Sequence, residues 1–355
     1  MADPAQFREL VSGRWRGIRP TALRGLLRAA EVPYTLGVVW RNRRYDNGQA
    51  PSHRVGVPVV SVGNLTLGGT GKTPMVKWLA RWLRQKNVHV AVVSRGYGAK
   101  AGQENDEALE LRQSLPDVPH VQNPNRVAAA RQAINELNSQ LILLDDGFQH
   151  RRLARDLDIV LLDALEPFGF DHVFPRGTLR EPVSSLRRAH VVCLSRADVL
   201  AAPERAAIRR RVAQIAPQAA WCEAAHAASG LINAAGESQP VEMLAGRRIA
   251  AFCGIGNPAG FRHTLATIGC ELVAWRAFPD HHTYSATDLA SLTAMAADCR
   301  ADILLCTQKD LVKLPHQDLA GMPLWAITLE MKVLSGQDLF EQALRCVVRR
   351  IRDEK

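Results

Sequence analysis

Thr66-Leu67-Gly68-Gly69-Thr70-Gly71-Lys72-Thr73 carries the strongest local signal in the 355-residue chain. It follows the apolar run VPVVSVG (57–63) and opens the helical pattern GKTPMVKWLARWLRQK (71–86). In a strand–loop–helix setting, glycines let backbone N–H groups curl around phosphate oxygens, and the helix N-terminus adds partial positive charge. Lys72 is then the group that reaches the β- and γ-phosphates of a nucleoside triphosphate, and the Thr73 hydroxyl is the one that binds Mg²⁺. Thr66 stands where the usual motif has its first glycine, while Gly68 and Gly69 keep the loop pliable.

Downstream, the apolar run Leu141–Leu144 ends in Asp145-Asp146-Gly147. An acid at such a strand end holds the magnesium of a phosphate-loop site, directly or through water. Alone this is weak, because many strands end in Asp; below a phosphate loop it gains weight. The adjoining Phe148-Gln149-His150-Arg151-Arg152 either adds donors around the phosphates or is a basic turn.

Around these motifs, strand and helix patterns alternate. VHVAVVSRG (88–96), LILLDD (141–146), LDIVLLDA (157–164) and HVVCLSRAD (190–198) read as strands, with helices at 125–137 and 203–216. Continuous apolar strands separated by helices imply a parallel sheet covered on both faces. A second series starts near 247, with strands at 247–256, 270–278, 301–310 and 323–331 and helices at 258–269 and 286–299. The expected fold class is α/β in two domains: a P-loop NTPase-like parallel sheet with helices on both faces, plus a smaller α/β domain. The expected partition is an N-terminal amphipathic segment (1–50), the nucleotide-binding domain (51–221), a linker or short hairpin (222–246), the second domain (247–335) and a C-terminal helix (336–355).

Charge and composition narrow the partners. The formal net charge is +10, and residues 1–50 hold nine arginines against Asp3, Glu9, Glu31 and Asp46. Within TALRGLLRAAE (21–31), Leu23, Leu26, Leu27 and Ala30 share one helical face, and Pro33 is expected to end the helix before YTLGVVW and RNRR. That stripe suits either a helix in the interface of an anionic membrane or one packed on the protein's own core. The arginines alternate with Leu and Val and no recognition module is evident, so no nucleic-acid partner is expected. Seven cysteines (193, 222, 253, 270, 299, 306 and 346), without C-x-x-C, read as thiols in a reducing compartment. No apolar run approaches the ~20 residues that span a bilayer.

Two further clusters have no evident structural role. One is Glu104-Asn105-Asp106-Glu107, after the Arg95-Gly96-Tyr97-Gly98 turn; the other is Phe278-Pro279-Asp280-His281-His282-Thr283-Tyr284, after a second-domain strand. Thr307-Gln308-Lys309-Asp310 superficially suggests a guanine-reading loop, but lacks the leading Asn and reads as a strand-end cap.

Taken together, SVGNLTLGGTGKTP (61–74), SRGYG (94–98), NDE (105–107), LLDDGFQHRRLARDLDIVLLD (143–163), PRGTLREP (175–182), GIGNPAGF (254–261), FPDHHTY (278–284) and TQKD (307–310) resemble the tetraacyldisaccharide 4′-kinase family, the lipid A 4′-kinases of Gram-negative bacteria. A small hydroxyl residue at position 66 looks usual there. The resemblance implies transfer of the γ-phosphate of ATP to the 4′-hydroxyl of a tetraacyl-glucosamine disaccharide 1-phosphate, with Mg²⁺, at the cytoplasmic face of the bacterial inner membrane. It implies Lys72 and Thr66–Thr73 at the nucleotide, and Thr73, Asp145, Asp146 and Glu107 at the metal. Asp106 is implied as general base, with His281 or the adjacent His282 orienting it. Asn64, Gln149, His150, Arg176 and Arg180 are implied at the substrate. Placing Asp106 and His281 on different domains would let closure assemble the site and exclude water. The rival reading is a P-loop ATPase or ligase acting on a soluble small molecule, which leaves the basic, apolar N-terminus without a purpose.

Overall fold

The computed structural model describes residues 4–96, 106–314, 318–319 and 321–353. Tyr97, Gly98, Glu104 and Asn105, quoted above, lie outside the described residues. The chain divides into two compact units, one of Met1–Gly96, Pro116–Ala225 and Val333–Lys355, the other of Tyr97–Leu115 and His226–Lys332.

The first unit begins with α1 (Pro4–Val11) and α2 (Ile18–Asp46). It continues with β1 (Val59–Asn64), α3 (Lys72–Gln85) and β2 (Val90–Ser94). After α4 (Asp106–Ser114), which belongs to the second unit, come β3 (His120–Gln122), α5 (Arg126–Leu137), β4 (Leu141–Asp145), β5 (Leu157–Asp163), β6 (Val191–Ser195) and α6 (Ala202–Ile215). Its strands run in the order β3-β2-β4-β1-β5-β6-β7, where β7 is Ala220–Ile232, and the pairings along that order are parallel. The chain winds out from β1 to one side and returns through β5 to the other. That reversal leaves a crevice beyond the carboxyl end of β1, where open α/β sheets bind ligands. β1, β2, β4, β5 and β6 are buried along their whole length. Leu65, Phe148, Val160, Leu162 and Leu194 fill one core cluster; Val59, Ala91, Val93, Ile142 and Leu144 join Ala129 and Ala133 of α5 in another.

In the second unit β7 turns back as a hairpin into β8 (Ser238–Gln239), pairing Leu231 with Gln239. β9 (Arg248–Cys253), α7 (Pro258–Ile268), β10 (Glu271–Ala277), α8 (Ala286–Asp298), β11 (Ile303–Thr307) and α9 (Gln308–Leu311) follow. The short β12 (Asp318–Leu319) pairs with β13 (Met322–Ser335), and α10 (Gln337–Asp353) ends the chain. The parallel order is β10-β9-β11-β13.

Two expectations are revised and two are sharpened. Residues 97–115, expected with the nucleotide-binding domain, group with the second unit, because Asp106 pairs with Lys313 and Ser114 Oγ accepts from Gln308 Nε2 at 3.1 Å. The segment 222–246, expected as a linker or short hairpin, is largely strand and hairpin. The C-terminal helix belongs to the first unit, where buried Phe340 stacks on Trp78 of α3 with ring centroids 5.2 Å apart. Pro33 does not end a helix, since α2 runs unbroken through it.

The two buried side chains of α2 are polar, while several of its large apolar side chains are exposed. Its buried residues are Glu31 and Asn42. Glu31 Oε1 accepts the Val173 N–H at 2.8 Å, and Asn42 Nδ2 donates to Glu181 Oε2 at 2.8 Å. These anchors sit on either side of Pro33, which removes one helical N–H bond. Meanwhile Leu26, Leu36 and Trp40 are 69%, 64% and 63% exposed. The core-packing reading of this stripe is therefore set aside.

Glu181 has no exposed surface, and both its oxygens lie 3.0 Å from Arg188. Burial alone would raise its pKa; Arg188, then Gln149, Ser185 and Asn42, outweigh that and hold it below the usual carboxylate range. Glu181→Ala leaves Arg188 buried without its counter-charge, a loss of about 3–5 kcal/mol, which a denaturant unfolding curve would register as a lowered midpoint.

Candidate active site

The phosphate loop is braced from several directions within the first unit. Leu67 N–H donates to Thr178 O at 2.7 Å, and Ser195 Oγ donates to Thr70 O at 2.8 Å. Arg196 binds Gly69 O at 3.2 Å while held by Asp163 at 2.6 Å. Gly71 takes the left-handed conformation, φ 85°, at the N-cap of α3, where a side chain would be strained. Gly63, just before the loop, is constrained by space: a Cβ there would lie 2.8 Å from the Phe148 backbone nitrogen.

Asp145 and Asp146 end β4 beside β1, and their surroundings differ. Asp146, at φ 50°, accepts from Arg180 through both oxygens at 2.9 and 2.8 Å, and Lys72 Nζ lies 3.4 Å from Oδ1. Burial would raise its pKa, but Lys72 and Arg180 reverse this and hold it far below the usual range. Asp145 is buried and its Oδ1 accepts the Asp146 N–H at 2.9 Å. Magnesium takes hard oxygen donors, often only one or two carboxylates beside phosphates and water. A buried carboxylate and the Thr73 hydroxyl suit that ion. Among the described residues no group of three or more His, Cys, Asp or Glu gathers as a ready-made cage.

The residues expected at the substrate behave unequally. Asn64 is wholly buried, and its Nδ2 donates to Thr66 O at 2.8 Å. It braces the loop from beneath, and its Oδ1 is buried without a hydrogen-bond partner among the described residues. Gln149 Nε2 donates to Asn64 O and Glu181 Oε1, both at 2.9 Å, and braces the same strand end. Arg176 donates to Val11 O at 2.8 Å and ties down α1. His150 Nε2 is buried and unpartnered. Burial, then Arg126, Arg155, Arg152 and Arg95, push His150 down to about 4, so it is neutral at physiological pH.

The second unit brings together Asp106 and His281. His281 Nδ1 lies 3.2 Å from Asp106 Oδ2, and Lys313 Nζ lies 3.1 Å from the same oxygen. Burial favours protonation of Asp106, but His281 and then Lys313 prevail and keep it below the usual range. His281 sits at φ 60°, its N–H shared between Gly254 O at 3.2 Å and Asp280 Oδ1 at 3.1 Å. A non-glycine residue held left-handed is a local strain typical of functional positions. His282 instead faces Asp288, with Nε2 to Oδ2 3.1 Å. His281, not its neighbour, is the partner of Asp106, and the pair is complete within one unit rather than divided between two. Glu107 faces Lys309 at 4.0 Å. In TQKD, Thr307 caps α9 by accepting the Asp310 N–H.

Reasoning from sequence passed over Lys309, Lys313, Arg196 and Arg126. Arg126, in the first turn of α5, is buried with Nε unpartnered and feels the charges of Asp146 and Asp145. Its one advance signal was an arginine directly after the capping Asn125.

A family profile described as Tetraacyldisaccharide-1-P 4′-kinase matches residues 23–349. The chain belongs to the tetraacyldisaccharide 4′-kinase family. A tetraacyldisaccharide 4′-kinase of Anaeromyxobacter dehalogenans (strain 2CP-C) is 41% identical over 353 residues, 93% of each chain. That of Syntrophus aciditrophicus (strain SB) is 38% identical over 332 residues, 87% of this chain and 89% of the relative. The crystal structure of LpxK from Aquifex aeolicus in complex with ATP superposes with a TM-score of 0.70 at 28% identity, covering 93% of this chain and 99% of that one. Members of the tetraacyldisaccharide 4′-kinase family are kinases, and this chain is one.

Proposed function

We infer that the protein transfers the γ-phosphate of ATP to the 4′-hydroxyl of a tetraacyl-glucosamine disaccharide 1-phosphate, the step that yields lipid IVA in lipid A biosynthesis. The observation that carries this reading is the presence of a braced phosphate loop in one unit and an Asp–His pair in the other. The first set of groups suits a donor triphosphate, the second an acceptor hydroxyl.

Lys72 neutralises phosphate charge as the γ-phosphoryl group departs, and Asp146 with Arg180 keeps that ammonium aligned. Asp145 and Thr73 would hold a Mg²⁺, which would supply charge neutralisation at the phosphates. At the acceptor, Asp106 takes the hydroxyl proton, as the aspartate of a kinase catalytic loop does, and His281 orients that carboxylate through Nδ1, 3.2 Å from Asp106 Oδ2. The freed oxygen pair attacks the γ-phosphorus, and the bond to the β,γ-bridging oxygen breaks to release ADP.

The N-terminus belongs to the same reading. No described helix is long and apolar enough to cross a membrane. The outward apolar face of α2, with Arg43 and Arg44 at its end, suits a helix lying in an anionic leaflet, the inner membrane's cytoplasmic face. Replacing Leu26, Leu36 and Trp40 together by Glu should cut partitioning onto phosphatidylglycerol vesicles at least about tenfold, from the lost apolar area and the added negative charge. The thermal midpoint should stay put, because these side chains are already exposed. Unchanged sedimentation with vesicles would remove the docking role.

The decisive test is transfer of labelled γ-phosphate from ATP to purified tetraacyl-disaccharide 1-phosphate in mixed micelles. Labelled lipid is expected; ATP hydrolysis without labelled lipid would remove the lipid acceptor and favour a soluble one.

A further inference from the structure

Lys313, its side chain 10% exposed, is the more enclosed of the two lysines beside Asp106 and His281. An ammonium has three donors and no acceptor. Three oxygens from separate segments of the second unit surround this one. They are Asp106 Oδ2 of α4 at 3.1 Å, His282 O of the loop after β10 at 3.2 Å and Asp310 Oδ1 of α9 at 3.5 Å.

Asp310 is the fixed end of this arrangement. It has no exposed surface, and it accepts the Gly254 N–H at 3.0 Å and the hydroxyls of Tyr284 and Thr307 at 2.9 and 2.6 Å. A carboxylate gripped by donors from three parts of the unit stays in place, and it places the ammonium beside it.

Asp106 is the movable end. The last torsion of an aspartate is broad and roughly two-fold, so its two oxygens exchange readily unless donors hold one of them. His281 Nδ1 lies 3.2 Å from Oδ2, but that histidine is 41% exposed. Lys313 reaches the same oxygen from the interior. Two donors converging on Oδ2 leave Oδ1 as the oxygen that receives a proton. The contact with His282 O also holds the peptide directly after His281, whose left-handed φ of 60° persists only with support from its surroundings.

We propose that Lys313 is a positioning residue for the transfer. It ties the Asp106 carboxylate and the backbone beside His281 to the buried Asp310, so that Asp106 turns Oδ1 to the acceptor hydroxyl. The inference rests on the reading of Asp106 as proton acceptor.

The test measures kcat, and KM for ATP and for the lipid, in full-length Lys313→Met and Lys313→Gln, each alone and combined with Asp106→Asn. Asp310 keeps its three neutral donors in both, and Gln also offers donors toward Asp310 and His282 O; melting curves verify the fold. Each single variant should lose about 10–100-fold in kcat with the KM for ATP unchanged, because a displacement near 1 Å at the reacting groups costs about 10²-fold. With Asp106 already Asn there is no carboxylate to aim, and the same changes should cost less than about twofold. A residue that only supported the fold would cost the same factor in both backgrounds, and that result overturns the role. A kcat within about twofold of wild type in both folded single variants overturns it too. A near-wild-type rate in Asp106→Asn itself removes the base reading and the inference together.

Discussion

Lys72→Ala should lower kcat/KM for phosphoryl transfer by at least about 10³-fold, roughly 4 kcal/mol of transition-state stabilisation. In phosphoryl transfer, catalysis is largely positioning and charge neutralisation, and a lysine at the transferring group acts on both. The variant should fold normally, because Asp146 keeps Arg180 on both oxygens at 2.8 and 2.9 Å when the ammonium is gone. Circular dichroism melting would verify the fold, and the labelled-phosphate assay would read the loss. A well-folded variant retaining a tenth of the wild-type rate would mean that Lys72 is not at the transferring phosphate.

Asp106→Asn should cost about 10²–10³-fold in kcat with little change in the KM for ATP, the range expected for a general base. It keeps the shape and leaves Lys313 with Asp310 at 3.5 Å, so the fold should survive. His281→Ala removes the group that orients the carboxylate, 3.2 Å from Asp106 Oδ2, and a loss of about 10–100-fold is expected. The two variants separate the candidates. Should His281→Ala prove the deeper lesion, with Asp106→Asn near the wild-type rate, the imidazole is the base and the carboxylate its support.

How much was legible in advance follows from how local each feature is. The phosphate loop was readable because strand, glycines, lysine and helix are contiguous, and each constrains the next. Asp145 and Asp146 were readable as a pair, but not as one buried acid and one ion-paired acid, because Arg180 lies 34 residues away. The Asp106–His281 contact spans 175 residues, and only the family resemblance hinted at it. The roles of Lys309 and Lys313 were hidden in what reads as a strand-end cap. The stripe on α2 was visible as periodicity, but periodicity does not say which face meets solvent. Glu31 and Asn42 answer that through partners at Val173 and Glu181, remote in sequence.

The C-terminal helix has a consequence for how the protein is made. Phe340 of α10 stacks on Trp78 of α3, the helix that carries Lys72, and Leu344, Val347, Val348 and Ile351 are buried along the same helix. A ribosome delivers α10 only after the residues of the second unit. The nucleotide unit thus remains an unfinished core throughout synthesis of the second unit, with Trp78 uncovered. The Asp106–His281 pair, whose members need only residues 97–115 and 226–332, has its whole chain available before the phosphate-loop unit does. Full packing of the ATP-handling machinery thereby waits for α10, which follows the second unit along the chain, so translation interrupted before it yields fragments that lack a finished nucleotide unit.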